Sequence, residues 1–245
     1  MSADAIDAAG WLDCAIPILS PNCDKRPSGV AVTLIVIHNI SLPPGQFGGD
    51  AVIELFTNCL DWDADPYYAH IRDMRVSSHF FIRRDGSLIQ FVPCAKRAWH
   101  AGASCWRGRE RCNDFSLGIE LEGSDDLPFT DAQYAALNPL IETLWQMYPI
   151  EEIVGHSDIA PARKEDPGEL FDWERLAKVG LAIPRPTKNL VDPGWGDAAF
   201  LLALERYGYG IADGPKAVVA FKRRFRPERV DGIIDGQCRA ILWSL

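Results

Sequence analysis

The chain has 245 residues, 47% of them hydrophobic, and a formal charge of −9. This supports a sizeable core in one large domain, or in a large domain with a small companion. No apolar run nears the roughly 18 residues that a bilayer span needs, and an acidic main part argues against nucleic acid as its substrate. The charge is uneven, since residues 186–245 hold nine Lys or Arg against seven Asp or Glu, which leaves −11 for residues 1–185.

The N-terminus, "MSADAIDAAGWLDCAIPILS", has acidic residues where an export signal carries Lys or Arg. Asp13 and Pro17 interrupt its apolar residues, so no export signal is read. The seven cysteines are odd in number, and no two have C-x-x-C spacing. Reduced thiols in a cytoplasmic protein are the expectation.

"VTLIVIH", residues 32–38, is a short β-branched and aliphatic run that reads as a buried strand and delivers His38 to its end. "HFFIRRDGSLIQFV" reads as a hairpin turning at Asp85-Gly86. In the next strand, "FSLGIELEG", Leu117, Ile119 and Leu121 point one way, and Gly118, Glu120 and Glu122 the other. Thr130 opens a helix, with Gln133 at capping-box spacing. Its stripe is Tyr134, Leu137, Ile141, Leu144 and Tyr148, and Pro149 ends it. "EEIVGH" is a short strand ending on His156, and residues 170–180 read as a helix.

The Pro/Gly-rich stretch "LAIPRPTKNLVDPGWGD" is the best boundary in the chain. It divides an expected catalytic domain, 1–183, from a linker, 184–196, and a helical unit, 197–245. In that unit "GPKAVVAFKRRFR" puts Val218, Phe221 and Phe225 on one face. The basic run, residues 222–229, then reads as a solvated surface or as a set of cations for an acidic ligand.

His38 and His156 each sit where an apolar strand meets a loop, and such positions can converge over one end of a sheet. Asp166 follows in "GHSDIAPARKEDPG". Two histidines and a carboxylate are a known catalytic zinc set. Taken singly the residues say less: a lone histidine is a common core residue, Asp166 before Pro167 a common turn residue, and Lys164 an ordinary surface charge. His70, His79 and His100 carry no distinguishing pattern.

Six blocks occur in order: "VIHNISLPPGQFGG", "RVSSHFFIRRDGSLIQFVP", "KRAWHAG", "GRERCNDFSLGIELEG", "FTDAQY" and "GHSDIAPARKEDPG". Together with the early "SPNCDKRP" they resemble the zinc-dependent N-acetylmuramoyl-L-alanine amidases of the AmpD type. The resemblance implies an α/β fold, a mixed central β-sheet flanked by helices and related to the peptidoglycan-recognition proteins. It implies Zn²⁺ held by His38, His156 and Asp166, with catalytic roles for Glu120, Lys164 and Tyr67. It also implies a substrate groove lined by Asn39, Arg75, Trp99 and Arg111. The expected partners are muropeptides or other peptidoglycan fragments, cleaved by a monomer without a membrane span. The implied setting is cytoplasmic cell-wall recycling, with an influence on β-lactamase induction.

The end of the chain, "VVAFKRRFRPERVDGIIDGQCRAILWSL", resembles a small all-α, three-helix peptidoglycan-binding domain. Such modules usually accompany enzymes that meet polymeric wall. A lytic amidase acting on intact wall is therefore a rival reading. A non-catalytic binding protein is another, opposed by the complete set of His38, His156, Asp166, Glu120 and Lys164.

Overall fold

The computed structural model describes residues 6–245. Residues 1–5, where the segment read for an export signal and the expected first domain begin, lie outside the described residues. The first half holds β1 (Ile16–Pro17), β2 (Cys23–Lys25), β3 (Leu34–Ile40), α1 (Ala51–Thr57), α2 (Pro66–His70), β4 (Phe80–Ile82), β5 (Leu88–Gln90) and β6 (Lys96–Ala98). Next come β7 (Cys105–Trp106), β8 (Arg109–Glu110), β9 (Ser116–Glu122), α3 (Asp131–Met147), β10 (Glu152–Gly155), α4 (His156–Ile159) and α5 (Trp173–Ala177). The chain closes with α6 (Asp197–Tyr207), α7 (Gly214–Phe225) and α8 (Gly236–Ser244).

Six strands form one sheet in the order β1-β5-β4-β9-β3-β10. The β4–β5 hairpin is antiparallel and the other pairs are parallel. This is the expected mixed sheet flanked by helices.

Strand alternation assigns the faces. Ile35, Ile37, Leu117, Ile119 and Leu121 share a core with Leu137, Ile141 and Leu144 of α3. The α3 cap is as expected: Gln133 N–H donates to Thr130 Oγ1, and Thr130 N–H to Gln133 Oε1. On the opposite face, Leu34 and Val36 pack with Phe200, Val218, Phe221, Phe225 and Ile241 of the last three helices. Phe81 and Ile89 pack there against Val52, Leu55 and Phe56 of α1 and Tyr68 of α2. That face is thus covered at two places, with ground left between them.

The expected division at 184–196 does not describe the packing. The second core joins Leu34, Val36, Phe115, Val154 and Ile159 to the C-terminal helices without a break. The stretch between them is also tied down. Leu190 and Trp195 pack on this core, Arg185 pairs with Glu228, and Arg239 pairs with Asp192.

Apart from the exposed Arg229, the basic run is not a solvated surface either. Lys222, Arg223, Arg224 and Arg226 are buried. Their partners are Asp231, Glu169, Asp158 and Asp235 respectively. Cations so placed are spent on internal anions and are not free to meet a ligand. The helix read over 170–180 is shorter, Trp173–Ala177, capped by the Asp172 carboxylate.

A shared core predicts shared unfolding. Calorimetry of the whole chain should give one transition. Phe221→Ala should move all of it, at a cost of about 3–5 kcal/mol. Two transitions, with only one displaced, would speak for independent domains.

Candidate active site

The site lies on the ground left open between the two covered areas. Parallel register sets its first row: His38 of β3 is paired with Glu120 of β9, which is paired with Phe81 of β4. His38 continues the parity of Leu34 and Val36, so it emerges on the face that the C-terminal helices cover further down. Gly155, the last residue of β10, is paired with Ile37. His156 follows at the level of His38, as the first residue of α4 and not the last of a strand.

Asp166 returns to this point through the backbone. Ser157 N–H donates to the Asp166 carbonyl at 2.9 Å. Pro167 lies so close to Gly155 that a Cβ there would sit 2.8 Å from the proline Cδ.

These turns bring three donor atoms together. Nδ1 of His38 is 3.0 Å from Nδ1 of His156 and 3.1 Å from Oδ2 of Asp166, and the last two are 3.0 Å apart. All three residues could hold a metal ion. Tetrahedral zinc with bonds of about 2.0–2.1 Å sets its ligands about 3.3 Å apart, so a small expansion separates this triangle from a filled one. Burial, then His156, push His38 down to about 4, which leaves it neutral with a lone pair to offer. Burial opposes the charge on Asp166, yet contact with His156 and His38 holds its carboxyl below the usual range.

Glu120 Oε1 is 4.0 Å from His38 Nδ1, and its buried Oε2 has no partner among the described residues. Burial, then the charge of Asp166, raise this carboxyl well above the usual carboxylate value, against the pull of Lys164. Lys164 is half-buried and is the only Lys or Arg lining the cavity among the described residues.

The cavity measures about 250 Å³. It is lined by His38, Asn39, Tyr67, Trp99, Glu120, His156, Lys164 and Asp166 of the residues singled out from sequence. Arg75 and Arg111 are exposed and outside its lining. Arg111 has a left-handed backbone, φ 58°, and lies 3.6 Å from Asp114. Asn39 donates to Asp125 at 2.7 Å. Leu55, Phe56 and Met74 supply an apolar wall.

His100 is a member of the site that sequence reasoning passed over. Its Nδ1 is 2.9 Å from Nε2 of His38, and its Nε2 is 3.2 Å from Ser116 Oγ. Burial, then His38, hold it well below the usual imidazole value, so it is neutral. Its ring lies on Gly118, where a Cβ would meet the ring at 2.6 Å. The signal was present in "LGIE": a glycine beside the site's glutamate on the same strand parity leaves room for one ring.

With this geometry in hand, comparison with known proteins is direct. Residues 28–169 match the N-acetylmuramoyl-L-alanine amidase family. The chain belongs to that family, a class of hydrolases acting on an amide. Within it the chain is of the AmpD type. It is 55% identical over 169 residues to the 1,6-anhydro-N-acetylmuramyl-L-alanine amidase AmpD of Enterobacter cloacae, covering 68% of this chain and 90% of that one. The crystal structure of a selenomethionine derivative of AmpD superposes with a TM-score of 0.69 at 52% identity, over 73% of this chain and 99% of that one. AmiD from E. coli, solved in complex with anhydro-N-acetylmuramic acid-L-Ala-D-gamma-Glu-L-Lys, gives a TM-score of 0.70 at 30% identity, over 90% of this chain and 91% of that one. Coverage of that extent reaches into the C-terminal helices.

The close fit of His100 on Gly118 has a measurable consequence. Gly118→Ala should displace the ring and cost about 1–3 kcal/mol, as overpacking does. Urea unfolding of the variant measures it, and an unchanged midpoint would mean that the ring moves freely.

Proposed function

We propose that this chain is a zinc amidase that hydrolyses the amide between the lactyl group of 1,6-anhydro-N-acetylmuramic acid and L-alanine. The observation that carries the reading is the triangle of His38, His156 and Asp166 with Glu120 beside it. The 55% identity to an enzyme named for this reaction supports it.

His38, His156 and Asp166 would hold the ion, and all three line the cavity. Bound zinc lowers the pKa of water to about 7 and polarises a carbonyl oxygen. Such chemistry answers the resistance of an amide to attack at neutral pH.

The chain's own groups do the rest. With Nδ1 of His38 committed to the ion, Nε2 carries the proton and donates to Nδ1 of His100. His100 in turn donates from Nε2 to Ser116, which fixes both rings. Glu120 takes the proton of the attacking water and delivers it to the leaving amine of L-alanine. Its partnerless Oε2 is free for that exchange. Lys164 offers its ammonium to the oxygen on which negative charge builds. Tyr67, Asn39 and Trp99 line the same cavity, and Trp99 offers an indole face to a sugar. Arg75 and Arg111 are exposed at the surface, where they could meet the carboxylates of a stem peptide.

Each chain carries the whole set, which supports activity as a monomer. All seven cysteines are free. That supports work in a reducing cytoplasm, on imported wall fragments in recycling and so upstream of β-lactamase induction. The resemblance of the last helices to a peptidoglycan-binding domain favours a second reading, action on polymeric wall.

Soluble anhydro-muropeptides and intact sacculi, offered to the same preparation and analysed by mass, separate the two. Release of free stem peptide from the soluble substrate is expected. Cleavage of sacculi alone would favour the second reading, and no cleavage at the lactyl amide would end both.

His38→Ala and His156→Ala should each lose the one zinc per chain seen by elemental analysis, and all turnover with it. Full occupancy and normal rates would remove them from the site. Glu120→Ala and Lys164→Ala should keep the metal and lose turnover by about 10²–10⁴-fold and 10²–10³-fold respectively. Rates near wild type at saturating substrate would exclude the residue concerned.

A further inference from the structure

We infer that the C-terminal helices position the metal-binding turn, with Arg224 and Tyr209 acting through Asp158 on His156 and Asp166. The inference rests on the metal reading above. It concerns residues outside the family match, which ends at residue 169.

Helix α4 is four residues long. A helix of one turn does not stabilise itself, because nucleation costs more than its few hydrogen bonds return. Side-chain contacts must hold it. Asp158, 1% exposed and two positions after His156, is what holds it. Its Oδ2 accepts from the N–H of Gly155 at 2.7 Å, the residue directly before His156. That contact fixes the backbone where β10 turns into α4.

The same turn governs Asp166. Ser157 N–H holds the Asp166 carbonyl, and Pro167 lies flush on Gly155. Two of the three donor residues therefore follow the orientation of one short turn.

The carboxylate that sets this turn is itself set from the far end of the chain. Oδ2 also accepts from Nη1 of Arg224 at 3.0 Å, and Oδ1 accepts from the hydroxyl of Tyr209 at 2.6 Å. Arg224 belongs to α7, is buried, and stacks over the ring of Trp173 at 4.3 Å. Tyr209 follows α6 and is held edge-on by Trp106 and Phe221. A buried carboxylate stripped of its cation is an uncompensated charge and is drawn toward water. That movement loosens its hold on Gly155. Arg224 and Tyr209 touch no reacting atom, so they are positioning residues.

The test uses the full chain with Arg224→Met, Arg224→Lys and Tyr209→Phe. Val218→Ala, a core truncation in the same helix, serves as the control for stability alone. Zinc affinity is read by competition with a chromophoric chelator, and ligand geometry by the absorption spectrum of the cobalt-substituted protein. Arg224→Met should weaken zinc by about 10–100-fold, the range for a lost partner behind a ligand, and should change the cobalt spectrum. Arg224→Lys should recover part of the loss. Tyr209→Phe should weaken zinc less, by about fivefold for one hydrogen bond. Val218→Ala should lower the melting temperature and leave zinc affinity and the cobalt spectrum unchanged. If Arg224→Met does not fold, Tyr209→Phe against Val218→Ala decides alone. Wild-type affinity and spectrum in the folded Arg224 and Tyr209 variants would overturn the inference, as would an equal loss in Val218→Ala. A wild-type chain that binds no zinc would overturn the metal reading and this inference together.

Discussion

The parallel register of β3 on β9 is the constraint on which the site depends. It pairs His38 with Glu120 and so sets a ring nitrogen and a carboxyl side by side on one face. A slip of β3 by one residue would turn His38 into the α3 core and present Ile37 beside Glu120 in its place. The register is held by the opposite face, where Ile35, Ile37, Leu117, Ile119 and Leu121 are fully buried. Apolar burial on one side of the sheet thus fixes polar geometry on the other. The polar residues themselves contribute little to holding it.

The same face explains why the C-terminal helices belong to the fold. Leu34 and Val36 point where His38 points, and without α6–α8 they would face water. The buried cations of α7 fit this arrangement. Lys222 and Arg226 find Asp231 and Asp235 within the C-terminal part, whereas Arg223 and Arg224 reach back to Glu169 and Asp158. Removing one partner from such a pair is costly even when the pair itself adds little net stability. Pairs across the junction therefore specify how the helices sit more than they strengthen the contact.

Much of this was legible in the sequence, for reasons that can be named. The apolar runs at "LIVI" and the alternation in "SLGIELE" write the sheet faces directly, because strand periodicity is local. The Thr130–Gln133 cap is local as well. His38, His156 and Asp166 were legible because strand-end histidines and a turn aspartate recur with the six blocks. What escaped was non-local. The burial of residues 222–226 depends on acids as distant as Asp158 and Glu169, which a helical wheel does not contain. The Pro/Gly stretch after residue 181 read as a domain boundary, because its fastenings, Arg185 to Glu228 and Asp192 to Arg239, lie more than forty positions apart in sequence. His100 was indistinct for the same reason: its role is defined by His38 and Gly118, from two other strands.

The electrostatic balance of the cavity follows from these placements. The neutral ring of His38, the ionised carboxylate of Asp166 and the carboxyl of Glu120, pushed toward its neutral form, converge there, against a single lysine in the lining among the described residues. Such a set is rich in lone pairs and poor in positive charge. Nδ1 of His38 and Nδ1 of His156 lie about as close to each other as either lies to Oδ2 of Asp166, so hydrogen bonds to the carboxylate leave the contact between the two ring nitrogens unexplained. A divalent cation at this point would use the lone pairs of all three and offset the charge of Asp166. It also favours the ionised form of Glu120, the form that accepts a proton. The raised carboxyl of Glu120 and the close triangle of donors therefore point the same way, toward a site suited to bound positive charge beside Asp166.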